Sequence, residues 1–328
     1  MGYVVATQFF SGVHGLRALA AVLVLFSHAI YFGNGHVATP GQVWLGRAGV
    51  MLFFAISGFV IALQRRKPVA SFIKHRALRI YPSYWIALAV ETVLFTAIGL
   101  PTGVTPDVVL LYPTVPQRLA TSIPYWTLAF EVTFYFITAL LFSMRLSDRQ
   151  ITGIAVLWIM AVNLLGSKPL TEAGFGFPGL AILLSPAMQV LPIGLICGIH
   201  FAKLRQMPRA VWITTALGAL VASFTLPDLS NARMLALGIG SASLLVVVAE
   251  RSIPAFLRRL GDASYGIYLV HVPVMVAISP SAGIARLTMI SLILGTLYGL
   301  FDVWLYSLLV NKRAMAPAAR AVPEPTLP

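Results

Sequence analysis

Arg17 and His28 stand eleven residues apart in the otherwise apolar run RALAAVLVLFSH. In a helix that spacing is three turns, so both side chains share one face, separated along the axis by roughly 16 Å. An ionisable group inside a bilayer is costly and is a functional candidate by default. A second polar stripe, Ser264, Tyr268 and His271, recurs at steps of four and three in another apolar run, again on one helix face. His271 falls roughly 12 Å above the inner boundary of its span, and Glu131 roughly 10 Å below the outer boundary of another. His28, Glu131 and His271 therefore reach a common depth near mid-membrane from three separate helices. Such convergence points to a polar cavity serving proton chemistry.

Other titratable residues divide by their setting. Glu91 and Asp302 are two further acids within apolar runs. Asp302 is flanked at four-residue steps by Tyr298 and Tyr306, which reads as a hydrogen-bonded contact between helices, and Glu91 is read as structural too. The loop 65–79, RRKPVASFIKHRALR, carries six Lys and Arg. A solvated, lipid-facing charge run accounts for such a loop; the alternative is a site for a phosphorylated ligand, because Arg76 and Arg79 share a helix face and a guanidinium binds phosphate oxygens bidentately. No HxxxxD, GxSxG or Walker sequence is present, which argues against the corresponding acyl-transfer, hydrolase and nucleotide-hydrolysing chemistries.

The elements that must position these groups follow from composition. The chain has 328 residues, 59% hydrophobic and 10% charged, against roughly 25% charged in a soluble domain. Crossing the hydrocarbon core takes roughly 20 apolar residues, and backbone groups facing lipid must be satisfied within the segment, so the spans are helices. About ten are read: 16–33, 44–64, 80–99, 124–144, 150–166, 180–202, 209–226, 231–249, 263–280 and 286–310. The expected fold is an all-α polytopic membrane protein, with residues 1–311 as one transmembrane domain and 312–328 a short disordered cytoplasmic tail. With the N-terminus inside, 17 Lys and Arg fall in inner segments and 5 in outer ones, which places both termini in the cytoplasm by the positive-inside rule. The net charge of +13 is accounted for by this bias and by anionic lipid head groups, with no nucleic-acid partner. The first span has no cleavage site of the signal-peptide kind and is expected to stay in the bilayer. The single cysteine, Cys197, excludes an internal disulfide and thiolate metal sites, and no metal is expected. No oligomeric state is implied.

Taken together, the motifs resemble the acyltransferase 3 family of polytopic membrane O-acyltransferases. RALAAVLVLFSH is similar to its first-span signature of a basic residue and a histidine. FFAISGFVIA, residues 53–62, resembles its SGF motif, and RALRIYPSYW, residues 76–85, its Arg-rich approach to the third span. WTLAFEVTFY, residues 126–135, resembles the Trp and Glu motif, and GDASYGIYLVH, residues 261–271, the late Ser-Tyr-His motif. The resemblance implies transfer of an acyl group, usually acetyl from cytoplasmic acetyl-CoA, to a hydroxyl of a sugar or other acceptor at the outer side of a bacterial inner membrane. Longer members carry a fused extracytoplasmic domain, and none is expected here.

Such a reaction needs a base for the hydroxyl proton, a cradle for the oxyanion and a grip on the thioester. His28 is the expected base, since imidazole with an ordinary pKa of about 6.5 suits reversible proton transfer. His271 is the rival base, and Glu131 orients His28 or the acceptor hydroxyl. Arg76 and Arg79 bind the phosphates of coenzyme A, Arg17 guides the pantetheine arm, and Ser57 lines the cavity. An exopolysaccharide or its lipid-linked repeat unit is the leading acceptor; O-antigen, a lipo-oligosaccharide or a macrolide, and a succinyl or longer donor, also fit. A proton-coupled transporter and a non-catalytic scaffold are the competing classes.

Overall fold

The computed structural model describes residues 10–113, 122–166, 179–278 and 282–311. Among them all regular structure is helical: α1 (Ser11–Gly33), α2 (Pro40–Ala62), α3 (Val69–Ala97), a short α4 (Pro106–Leu110), α5 (Trp126–Ser143), α6 (Asp148–Leu165), α7 (Val190–Leu204), α8 (Arg209–Thr225), α9 (Asn231–Val248), α10 (Ala255–Ala277) and α11 (Ile284–Asn311). The apolar runs become helices because lipid offers no partner for backbone groups. Local signals set their starts. Thr39 caps α2 with Pro40 at its first position, Ser230 caps α9, and Ser147 forms a capping box with Gln150 at the head of α6. Nine helices among the described residues are long and apolar enough to cross a membrane, and α8 is a shorter apolar helix. The expected tail 312–328 lies outside the described residues.

Two expected boundaries are wrong for one reason. Residues 69–79, read as loop, are the first three turns of α3, which begins after Pro68; α10 starts at Ala255, eight residues before the expected span. Both first turns are rich in charge, so no apolar run marks them, whereas the helix continues beyond the apolar zone. The sixth expected span begins instead as two 3₁₀ stretches, Gly179–Leu184 and Pro186–Gln189, before α7. Pro186 opens the second stretch and removes a backbone donor there.

Ion pairs gather at the two ends of the bundle. At one end Arg65 pairs with Asp148 (2.7 Å), Arg205 with Glu250 (2.5 Å) and His14 with Asp262 (2.7 Å). At the other, Arg47 and Arg233 share Asp228 at 3.6 and 3.2 Å. Between them lies an apolar core in which Phe10, Phe59 and Phe201 meet edge to face and Phe54 stacks on Phe130. Large apolar side chains such as Leu157, Leu164, Phe136 and Val93 face outward, as expected of a surface solvated by lipid.

The contact that matters for the site is α1 against α10, which run side by side in the same direction: His14 meets Asp262, Arg17 meets Ser264 and His28 meets His271. Close approach is fixed by Gly261, where a Cβ would stand 2.0 Å from the His14 carbonyl oxygen. Small residues at helix crossings serve this purpose where lipid, as apolar as leucine, supplies no hydrophobic drive between helices.

Candidate functional site

Two polar centres lie next to one another inside the bundle. The first is a histidine pair. His271, fully buried on α10, places Nε2 3.2 Å from Nδ1 of His28 on α1, with ring centroids 5.0 Å apart. The backbone determines the tautomers. Nδ1 of His271 lies 3.0 and 2.8 Å from the carbonyl oxygens of Ile267 and Tyr268, which only accept, so this nitrogen carries the proton and Nε2 offers a lone pair. Nδ1 of His28 lies 3.0 Å from the Val24 carbonyl oxygen. It too must donate, and it shares its proton between Val24 and His271. What remains is Nε2 of an oriented His28, the ring nitrogen that neither the backbone nor His271 engages.

The second centre is a cavity of about 110 Å³ lined by Arg17, Ser57, Arg76, Arg79, Glu131, Tyr265 and Tyr268 among others. A pocket that encloses a drug-sized molecule runs to roughly 300–1,000 Å³, so this space admits only part of a large ligand. Ser57 on α2 donates to Oε1 of Glu131 on α5. Arg17 Nε donates to Ser264 Oγ at 3.2 Å. Arg76 lies over the rings of Phe72 and Tyr135, at 5.8 and 5.4 Å, and its buried Nε has no hydrogen-bond partner. Arg79 forms a 2.5 Å ion pair with Asp302, 2% exposed, and lies over the Tyr265 ring at 5.2 Å. Three guanidiniums thus face one free carboxylate, and only Arg79 of the three has an ion-pair partner among the described residues.

Tyr268 is the partition. It lines the cavity, its ring lies 5.8 Å from that of His271, and its hydroxyl is held 2.5 Å from Thr127 Oγ1 and 3.2 Å from the Pro124 carbonyl oxygen. The Tyr268 ring thus stands between the cavity and His271, the partner of His28.

The expected site residues fall as follows. Arg17, Ser57, Arg76, Arg79 and Glu131 come together around the cavity; His28 and His271 come together beyond Tyr268. Glu131 accepts from Ser57 on the cavity side, and among the described residues no hydrogen bond joins it to either histidine. Arg79 and Asp302 are a pair, in keeping with a structural Asp302. Glu91 accepts from the Ser122 backbone and hydroxyl at 2.7 and 2.5 Å, which is a structural bond also. Thr127, Tyr135, Tyr265 and the His14–Asp262 pair went unnoticed in the sequence. Thr127, Glu131 and Tyr135 recur every four residues, a stripe that would have shown them. Among the described residues no group of three or more His, Cys, Asp or Glu is placed to hold a metal ion.

The acyltransferase 3 family, described as an acyltransferase domain, matches residues 10–308. Nodulation protein 10 of Rhizobium leguminosarum bv. viciae is 29% identical over 308 residues, covering 79% of this chain and 81% of that protein. Exopolysaccharide production protein ExoZ of Rhizobium meliloti (strain 1021) is 31% identical over 294 residues, covering 78% and 86%. Acyltransferase MdmB of Streptomyces mycarofaciens is 30% identical over 139 residues, covering 37% and 36%. No solved structure matches. A match of this extent, on a bundle of apolar helices with a histidine pair at its centre, makes the chain a member of the acyltransferase 3 family and a multi-pass membrane acyltransferase.

Proposed function

We propose that the protein moves an acetyl group from cytoplasmic acetyl-CoA to a hydroxyl of a cell-surface polysaccharide or its lipid-linked precursor, across the inner membrane. The observation that carries this reading is the His28–His271 pair, oriented by its backbone contacts, beside an arginine-lined cavity from which the Tyr268 ring separates His271. The carbohydrate acceptor is favoured by the relative named for exopolysaccharide production.

Ten crossings fit the helix directions better than nine. α1 and α10 run the same way, and α9 runs opposite to α1, since Val248 at its end abuts Gly12 at the start of α1. Both relations need α8 to cross, and its 17 residues rise about 25 Å. The end carrying the loops after α2, α5 and α7 is then cytoplasmic by its excess of Lys and Arg.

In the proposed reaction Nε2 of His28 takes the proton of the acceptor hydroxyl as its oxygen attacks the thioester carbonyl. The C–S bond then breaks and the thiolate leaves with coenzyme A. As His28 gains charge, its Nδ1–H bond to His271 Nε2 strengthens, so His271 acts as a positioning residue. Arg17 and Arg76 hold the donor, while Arg79, committed to Asp302, holds the wall of the cavity. Glu131, fixed by Ser57, balances the cations and orients the donor beside them.

The test is reconstitution in vesicles loaded with polysaccharide acceptor, with ¹⁴C-acetyl-CoA supplied on the cytoplasmic side. Alkali-labile label on the enclosed polysaccharide supports the reading. Label transferred only to small-molecule acceptors would redirect the acceptor class, and uptake of an unmodified solute without transfer would favour a transporter.

A further inference from the structure

A second depression, about 1030 Å³ in volume, lies between the α2–α3 and α5–α6 connections. Its lining includes Arg65, Arg66, Lys67, Arg145 and Arg149 against one carboxylate, Asp148. That carboxylate is engaged. Arg65 Nε and Nη2 donate to its two oxygens at 2.7 and 2.9 Å, a bidentate clamp that holds the two connections together. The other four cations have no ion-pair partner among the described residues.

Membrane topology asks for basic residues on this side, but not for their convergence from two separate connections on one concavity. Arg145 is held there with φ of 53°, a left-handed conformation that any residue with a Cβ disfavours. The first turn of α6 also lines the depression, adding the positive end of a helix dipole. The four side chains are exposed, so solvent and salt screen their repulsion, and their summed field is of the sign that attracts a multiply charged anion to the basin.

The basin is in line with the cavity. Val69 in its wall is seven residues from Arg76 on α3, and Phe142 is seven from Tyr135 on α5, about 10 Å along each helix. Phe72, fully buried, fills the interval with its ring 5.7 Å from Phe142 and 6.3 Å from Tyr135, so a ligand that spans the two sites displaces this ring. The cavity offers only Arg17 and Arg76 as free cations, too few for a ligand with several phosphates.

We propose that this basin is a phosphate-binding subsite for the nucleotide end of acyl-CoA, with Arg66, Lys67, Arg145 and Arg149 receiving the phosphates while the thioester reaches the cavity between α3 and α5. The proposal rests on the acyl-CoA reading above. It is tested by calorimetric binding of coenzyme A and of phosphate-free acetyl-pantetheine to the full chain in phosphatidylcholine nanodiscs. The proteins compared are wild type, the double variant Arg66→Gln/Arg149→Gln, and Arg258→Gln/Arg259→Gln, which removes two exposed cations outside the basin.

The basin variant loses about tenfold or more in affinity for coenzyme A, the scale of a lost charge-assisted phosphate contact. Its affinity for acetyl-pantetheine stays at the wild-type value, which also reports an intact fold, and the control variant binds both as wild type does. Unchanged coenzyme A affinity in the basin variant overturns the proposal and leaves the acyl-CoA reading standing; failure of wild type to bind either compound overturns both. If the double substitution spares coenzyme A but abolishes retention of phosphatidylglycerol, seen by native mass spectrometry, the phosphate belongs to a lipid head group and the nucleotide assignment is overturned.

Discussion

Nε2 of His271 lies 3.2 Å from Nδ1 of His28, and each Nδ1 also faces a backbone carbonyl oxygen one helical turn back. The two helices therefore impose one direction of hydrogen bonding, from His28 Nδ1–H to His271 Nε2 and from His271 Nδ1–H to the α10 backbone, with the Val24 carbonyl on α1 sharing the His28 proton. Only His28 is left with a lone pair to use. The competition between the two histidines for the role of base is decided, in this account, by which ring nitrogen the main chain leaves free.

His271 is expected to position rather than to react. His271→Leu removes the acceptor for the His28 proton and should lower kcat about 100-fold with the KM for acetyl-CoA little changed. His271→Gln, whose side-chain oxygen can accept, should recover a substantial part. Equal loss in both variants, or a loss carried by KM, would contradict the assignment; steady-state kinetics in proteoliposomes supply the comparison.

Ser57 and Glu131 are expected to act as one unit. Glu131→Gln weakens the bond from Ser57 and removes the counter-charge to Arg17 and Arg76, for an expected fall of about 10- to 100-fold in kcat/KM, on the scale of a charge-assisted hydrogen bond. Ser57→Ala should cost less, and the double variant no more than Glu131→Gln alone. Independent, multiplying effects in the double-mutant cycle would show that the serine does not work through the carboxylate.

Arg76 and Arg79 separate function from stability. Arg76→Ala should raise the KM for acetyl-CoA about tenfold and leave kcat near wild type, the sign of lost binding shared by ground and transition states. Asp302→Asn strands the Arg79 guanidinium, which is only 22% exposed, and should destabilise the protein by about 3 kcal/mol, the lower range for breaking a buried pair. Thermal unfolding in detergent should therefore drop for Asp302→Asn and not for Arg76→Ala.

Much of the site was legible because it is written along single helices. Arg17 with His28, and Ser264 with Tyr268 and His271, share helical faces by their spacing, and these faces meet as α1 packs on α10. Partnerships between distant helices have no such signal. Ser57 and Glu131 are 74 residues apart, Arg79 and Asp302 223, and no local pattern couples them. Depth alone left the partner of Glu131 open, because counting residues from a span boundary carries no information on helix rotation, which packing sets. Hydropathy missed the first turns of α3 and α10 for a related reason: the helices outlast the apolar zone that was used to find them.

The proposed reaction depends on His28 as base. The decisive measurement is single-turnover transfer of ¹⁴C-acetyl to the polysaccharide acceptor by His28→Ala in proteoliposomes, with coenzyme A binding measured on the same preparation. General-base catalysis contributes about 10²- to 10⁴-fold, so the rate should fall at least 100-fold while coenzyme A binds as it does to wild type. Transfer at the wild-type rate by a protein that still binds coenzyme A would contradict the account.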